Sequence, residues 1–143
     1  MNLRRWARGL VGLGVIGAAF IAPGVAAAAP PVPFPQVVQM LGCGQQFPFT
    51  LTFLTAQSGP EVGPGQIRVQ AQPAVPWAGG ANRMGIGWLN TNTLAAGFVP
   101  LNPGPGASLW ATINSGPGNV VLTATPLDPS LCQMNGTIGM FQV

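Results

Sequence analysis

Beyond residue 30 nothing in this chain sustains a helical period. The sequence holds 21 glycines and 16 prolines in 143 residues, and they recur in clusters: SGPEVGPG, PWAGGAN, PLNPGPG, NSGPG and PLDPS. Proline costs a helix a backbone donor and clashes with its preceding turn, while glycine raises the entropy lost on ordering, so such clusters read as turns. Between them lie seven short segments: FPFTLTFLT (47–55), QIRVQAQ (66–72), MGIGWL (84–89), LAAGFV (94–99), ASLWATI (107–113), NVVLTAT (119–125) and TIGMFQV (137–143). In QIRVQAQ, Ile67, Val69 and Ala71 alternate with Arg68, Gln70 and Gln72, the pattern of a half-buried strand with one wet face. In FPFTLTFLT the alternating apolar set is Phe47, Phe49, Leu51 and Phe53, with Thr50 and Thr52 between them. Seven strands at this spacing predict an all-β fold, a single antiparallel immunoglobulin-like sandwich, with a small β-barrel as the alternative.

The N-terminus is of a different kind. Met1–Gly9 carries Arg4, Arg5 and Arg8, Leu10–Val25 is apolar and uncharged, and Ala26–Ala29 offers the small residues a signal peptidase reads. Residues 1–28 are therefore expected to be a signal peptide cleaved after Ala28. Left uncleaved, Leu10–Ala29 is long enough to span a bilayer. Residues 29–42, opening APPVPFP, read as a Pro-rich extended spacer, with the composition for one helical turn at 37–41, and residues 43–143 as the β-domain. The expected location is extracellular or in the cell envelope.

Removal of the leader would change the charge completely. Residues 29–143 hold only Arg68, Arg83, Glu61 and Asp128 as charged side chains, so the formal charge cancels and the basic pI of 10.3 belongs to the leader. Nucleic acid and anionic lipid lose their support as partners. About 115 residues suit one domain with one core. Cys43 and Cys132 are the only cysteines, and an even count in an exported chain predicts one disulfide. Each lies just upstream of a terminal strand, so parallel pairing of the first and last strands would bring them together.

The residue inventory excludes most catalysis. There is no His and no Lys to serve as base for a serine or cysteine nucleophile, and no donor set for a metal. Glu61 and Asp128 are the two carboxylates a glycosidase pair would need, but both fall in Pro/Gly turns and read as solvated. No catalytic residue, metal site or cofactor is expected; the chain reads as a non-catalytic domain that acts by surface contact. Its partner would be an envelope component, a secreted protein, or a polysaccharide or glycolipid, with a secreted enzyme inhibitor presenting SGPEVGPG ranked behind these. Aromatic residues are the remaining candidates. Trp88 shares parity with Met84 and Ile86 and reads as core. Trp110 is opposite in parity to Leu109, Ala111 and Ile113, hence outward with Ser108 and Thr112, and Trp77 sits in a loop. Rings beside amides and hydroxyls are what carbohydrate-binding sandwiches use, so Trp77 and Trp110 are the candidate ligand-binding residues.

Four features, GVAAAAPPVP at the processing site, IGWLNTNT with Gly97 after it, GPG at 116–118 and the ending GMFQV, resemble those of small exported β-sandwich proteins from mycobacteria and related actinobacteria. The resemblance implies a location rather than an activity. In size, single bridge, few charges and several tryptophans the chain is also similar to actinobacterial cellulose-binding modules. Those modules place their cysteines near both ends, whereas a full strand follows Cys132 here, and no binding residue is carried over.

Overall fold

A computed structural model describes residues 29–43, 49–74, 83–129, 131–133 and 135–143. The expected signal peptide and Trp77 lie outside these residues. Among the described residues eleven strands run in chain order as β1 (Val32–Pro33), β2 (Val38–Gly42), β3 (Phe49–Ser58), β4 (Gln66–Pro73), β5 (Met84–Asn90), β6 (Ala96–Pro100), β7 (Asn102–Pro103), β8 (Leu109–Asn114), β9 (Asn119–Pro126), β10 (Leu131–Gln133) and β11 (Ile138–Gln142). All seven expected segments are among them. Every pairing is antiparallel, and two sheets result. The larger, ordered β10-β2-β3-β4-β8-β7 with β1 added beside β3, curls into a half-barrel; the smaller is ordered β11-β9-β5-β6.

The alternation in β4 explains the layering. Ile67, Val69 and Ala71 point inward and are fully buried, and β8 repeats the pattern with Ala111 and Ile113. Opposite them the smaller sheet turns in Met84, Ile86, Val120, Leu122 and Ala124, so the two inner faces share one core. Each fully buried aliphatic side chain of this size contributes about 2 kcal/mol relative to exposure. Leu101, buried between β6 and β7, is the corner at which one extended segment leaves the smaller sheet and joins the larger.

Asn90, at the end of β5, is completely buried. Its Nδ2 donates to the carbonyls of Ser115 (2.8 Å) and Pro117 (3.1 Å), and its Oδ1 accepts from the amides of Asn92 (3.0 Å) and Thr93 (3.2 Å). One side chain thereby ties the β5–β6 turn to the β8–β9 loop.

The structure corrects four expectations. Residues 29–42 are not a spacer outside the fold: they supply β1 and β2 and bury Phe34, Val38 and Met40 in the core. The turn of helix expected at 37–41 is instead strand β2, because Val38 and Met40 reach the core only with alternating side chains. The Cys43–Cys132 disulfide does form, with Cα atoms 5.1 Å apart, but it does not join parallel terminal strands. Cys132 lies in β10, antiparallel to β2 with Cys132 opposite Leu41, and the bridge staples that edge of the larger sheet. Finally, β3 turns its threonines inward. Thr50, Thr52, Leu54 and Ala56 are buried, while Phe53 is 48% exposed. The cause is register: Leu54 faces Ala71 and Ala56 faces Val69, and one strand cannot send its two halves to opposite faces without a bulge. Thr50 and Thr52 then bury Oγ1 atoms with no hydrogen-bond partner.

Candidate functional site

Because β3, β4 and β8 send their apolar sets inward, their other residues make the outer face of the larger sheet. Register sets the rows. Pro33, Thr55, Gln70, Trp110 and Asn102 stand side by side across five strands. Gln57, Arg68 and Thr112 form the next row, and Phe53 and Gln72 lie on the other side. Apart from Arg68, these rows hold amides, hydroxyls, a proline and, among the described side chains, two aromatic rings.

Trp110 is outward, as its parity requires, and 39% exposed. It has a fitted seat. A Cβ on Gly104 would collide with Cδ1 of the indole, so glycine there is what lets the ring lie down against the segment after β7. Gly104 itself has φ −130° and ψ −175°, an ordinary extended conformation, so the need is for space alone. A single 3₁₀ turn, Pro105–Ala107, rises beside the ring, and the Ser108 hydroxyl donates to the Pro105 carbonyl at 2.7 Å. That turn covers Ser108, which is buried although its parity matches Trp110. Arg68, Gln70, Pro105, Ser108 and Trp110 together line an open cavity of about 270 Å³.

The Arg68 guanidinium carbon lies over Trp110, 5.6 Å from the ring centroid, within cation–π range. Its Nε is buried without a hydrogen-bond partner, and among the described residues Arg68 makes no ion pair. Phe53, 48% exposed, is the second ring of this face. It stands two strands and two residues away from Trp110, about 12 Å by sheet spacing. Parity identified Trp110 from the sequence. Phe53 was missed because the Phe/Leu alternation outweighed Leu54 and Ala56, which carry the signal for its true face. Trp88 lies on the inner side, packed against the core, with its ring 2.8 Å from where a Cβ on Gly97 would stand.

The outer face of the smaller sheet is of another character. Met140, Val121, Leu89 and Ala96 form one row, and Ile138, Thr123, Gly87 and Phe98 the next. Ile138, Met140, Leu89 and Phe98 are all exposed, as is Leu94 in the turn beyond, and no charged residue lies among them. Among the described residues no three His, Cys, Asp or Glu side chains cluster, and Glu61 is exposed in the β3–β4 turn. Among them, too, no helix is long and apolar enough to cross a membrane.

No protein-family model, curated protein or solved structure matches this chain.

Proposed function

We propose that this chain is an exported, non-catalytic binding domain, immunoglobulin-like in its layering, that holds carbohydrate on the outer face of its larger sheet. The observation that carries the reading is the seated, 39% exposed Trp110 ring at the wall of an open cavity. The exposed part of the ring, beside the guanidinium, offers apolar surface to the C–H groups of a sugar, while Gln70, Gln72, Thr55 and Thr112 supply donors and acceptors for its hydroxyls. The disulfide suits an oxidising, extracellular setting. A polysaccharide or glycolipid of the cell envelope is the partner this face fits, and the near-absence of charge lets the domain lie against such material.

The test is retention of the chain on insoluble cell-wall polysaccharide. Trp110→Ala is expected to weaken retention about tenfold, since a stacked aromatic contact contributes about 1.5 kcal/mol, with the unfolding midpoint little changed. Unchanged retention removes Trp110 from the site and this reading with it.

The apolar outer face of the smaller sheet favours a second reading, contact with hydrophobic envelope material. Flotation with vesicles of neutral lipid, lost in the Ile138→Lys/Met140→Lys double variant, would support it; failure to float in the unaltered chain would refute it.

A further inference from the structure

We propose that the sugar taken at this face is acidic, and that Arg68 reads its anionic oxygens; the inference rests on the carbohydrate reading above. Among the described residues Arg68 is the one cation on a face of amides and hydroxyls, flanked across the strands by Gln57 and Thr112 and along its own strand by Gln66 and Gln70. No carboxylate of a described residue pairs with it. Packing over Trp110 uses the charge of Arg68 through the ring quadrupole but leaves the terminal N–H donors of the guanidinium unused.

The geometry also fixes how an anion would be held. Nε is buried, and Arg68, which lines the cavity, makes no side-chain hydrogen bond to a described residue, so the donors left for a ligand are those of its two terminal amino groups. These form an end-on fork that meets two oxygens of a carboxylate or phosphate in parallel. Contact with Trp110, at 5.6 Å from the ring centroid, holds the charged end of Arg68 beside the cavity before the ligand arrives, which reduces the ordering cost of binding. With the formal side-chain charge of residues 29–143 at zero, no long-range repulsion opposes an anionic polymer. The ligand class is thus a sugar unit that offers a C–H face to Trp110 and an anionic group to Arg68, a uronate or a sugar phosphate.

Calorimetric titration of the full chain with a galacturonate trimer, its fully methyl-esterified form, galactose 6-phosphate and galactose tests this. The acid trimer is expected to bind about tenfold more tightly than the neutral ester, the range of a charge-assisted pair, and to lose that advantage as salt rises. Arg68→Gln is expected to make acid and ester equal while leaving ester binding in place. Arg68→Lys keeps the charge but not the fork, and is expected to lose most of the preference. A gain for galactose 6-phosphate over galactose that exceeds the gain of acid over ester assigns the fork to phosphate. Equal binding of all charged and neutral forms to the unaltered chain, or a preference that survives Arg68→Gln, overturns the inference while leaving the Trp110 face intact. Binding of none of them overturns both.

Discussion

Replacing Asn90 by aspartate keeps the side chain's shape and removes both of its donors. In the native protein Nδ2 serves the carbonyls of Ser115 at 2.8 Å and Pro117 at 3.1 Å, with that of Gly116 at 3.4 Å, in a site with no exposure to solvent. Asn90→Asp turns an oxygen toward three carbonyl oxygens. Two well-formed bonds are lost, at about 1 kcal/mol each, and carbonyls left unpaired in the interior cost a further 1 kcal/mol or so. The bonds accepted from Asn92 and Thr93 survive, because a carboxylate still accepts them. The expected loss is at least about 3 kcal/mol, because the buried carboxylate must also give up its hydration or take up a proton, and for a slope of about 2 kcal/mol/M the urea midpoint falls by roughly 1.5 M or more. Equilibrium unfolding followed by tryptophan fluorescence, with the disulfide intact, measures it. A fall of less than about 0.5 M at an unchanged slope would mean that Asn90 does not tie the two loops together as described, and the packing of that end of the sandwich would have to be explained otherwise.

Thr52→Val is expected to stabilise the protein by about 1 kcal/mol, since it removes a buried hydroxyl without a partner at nearly constant volume; a loss in the same urea assay would show that the hydroxyl is satisfied. Replacing Cys43 and Cys132 together by serine should lower stability by about 4 kcal/mol, because a loop of this length is then open in the unfolded chain; a change under about 1 kcal/mol would argue against the entropic account. Gly104→Ala leaves the backbone conformation accessible but fills the seat of Trp110, so polysaccharide retention should fall as it does in Trp110→Ala while the unfolding midpoint moves by only a few degrees. Normal retention in that variant would show that the ring's placement does not matter to binding.

How far the sequence could be read depended on whether a feature was local. Ile67, Val69 and Ala71 in one strand and Ala111 and Ile113 in another declare their faces by alternation alone, and with them the outward Trp110. Strand β2 hid because Val38 and Met40 show one period of alternation in a stretch preceded by four prolines. Strands β7 and β10 are two and three residues long and exist only because the chain crosses from one sheet to the other, a consequence of tertiary closure. The cysteine count disclosed the bridge, but its place depended on β2 being a strand. The site was legible only in its centre. Arg68 meets Trp110 because β4 and β8 pair in one register, and Gly104 seats the ring because β7 turns back beside β8. Neither neighbour is visible along the chain, since a slip of one residue in register would have sent them to the opposite face.

The two outer faces of the protein are dissimilar, and the proposed sugar site lies on only one of them. The most direct test is a backbone and indole amide map of the isotope-labelled protein during titration with a galacturonate trimer. The Trp110 indole N–H and the amides of residues 68–72 and 104–112 are expected to shift, while those of 119–125 and 138–142 stay in place. Shifts confined to Val121, Ile138 and Met140, with Trp110 unmoved, would contradict it and pass the binding role to the apolar face of the smaller sheet.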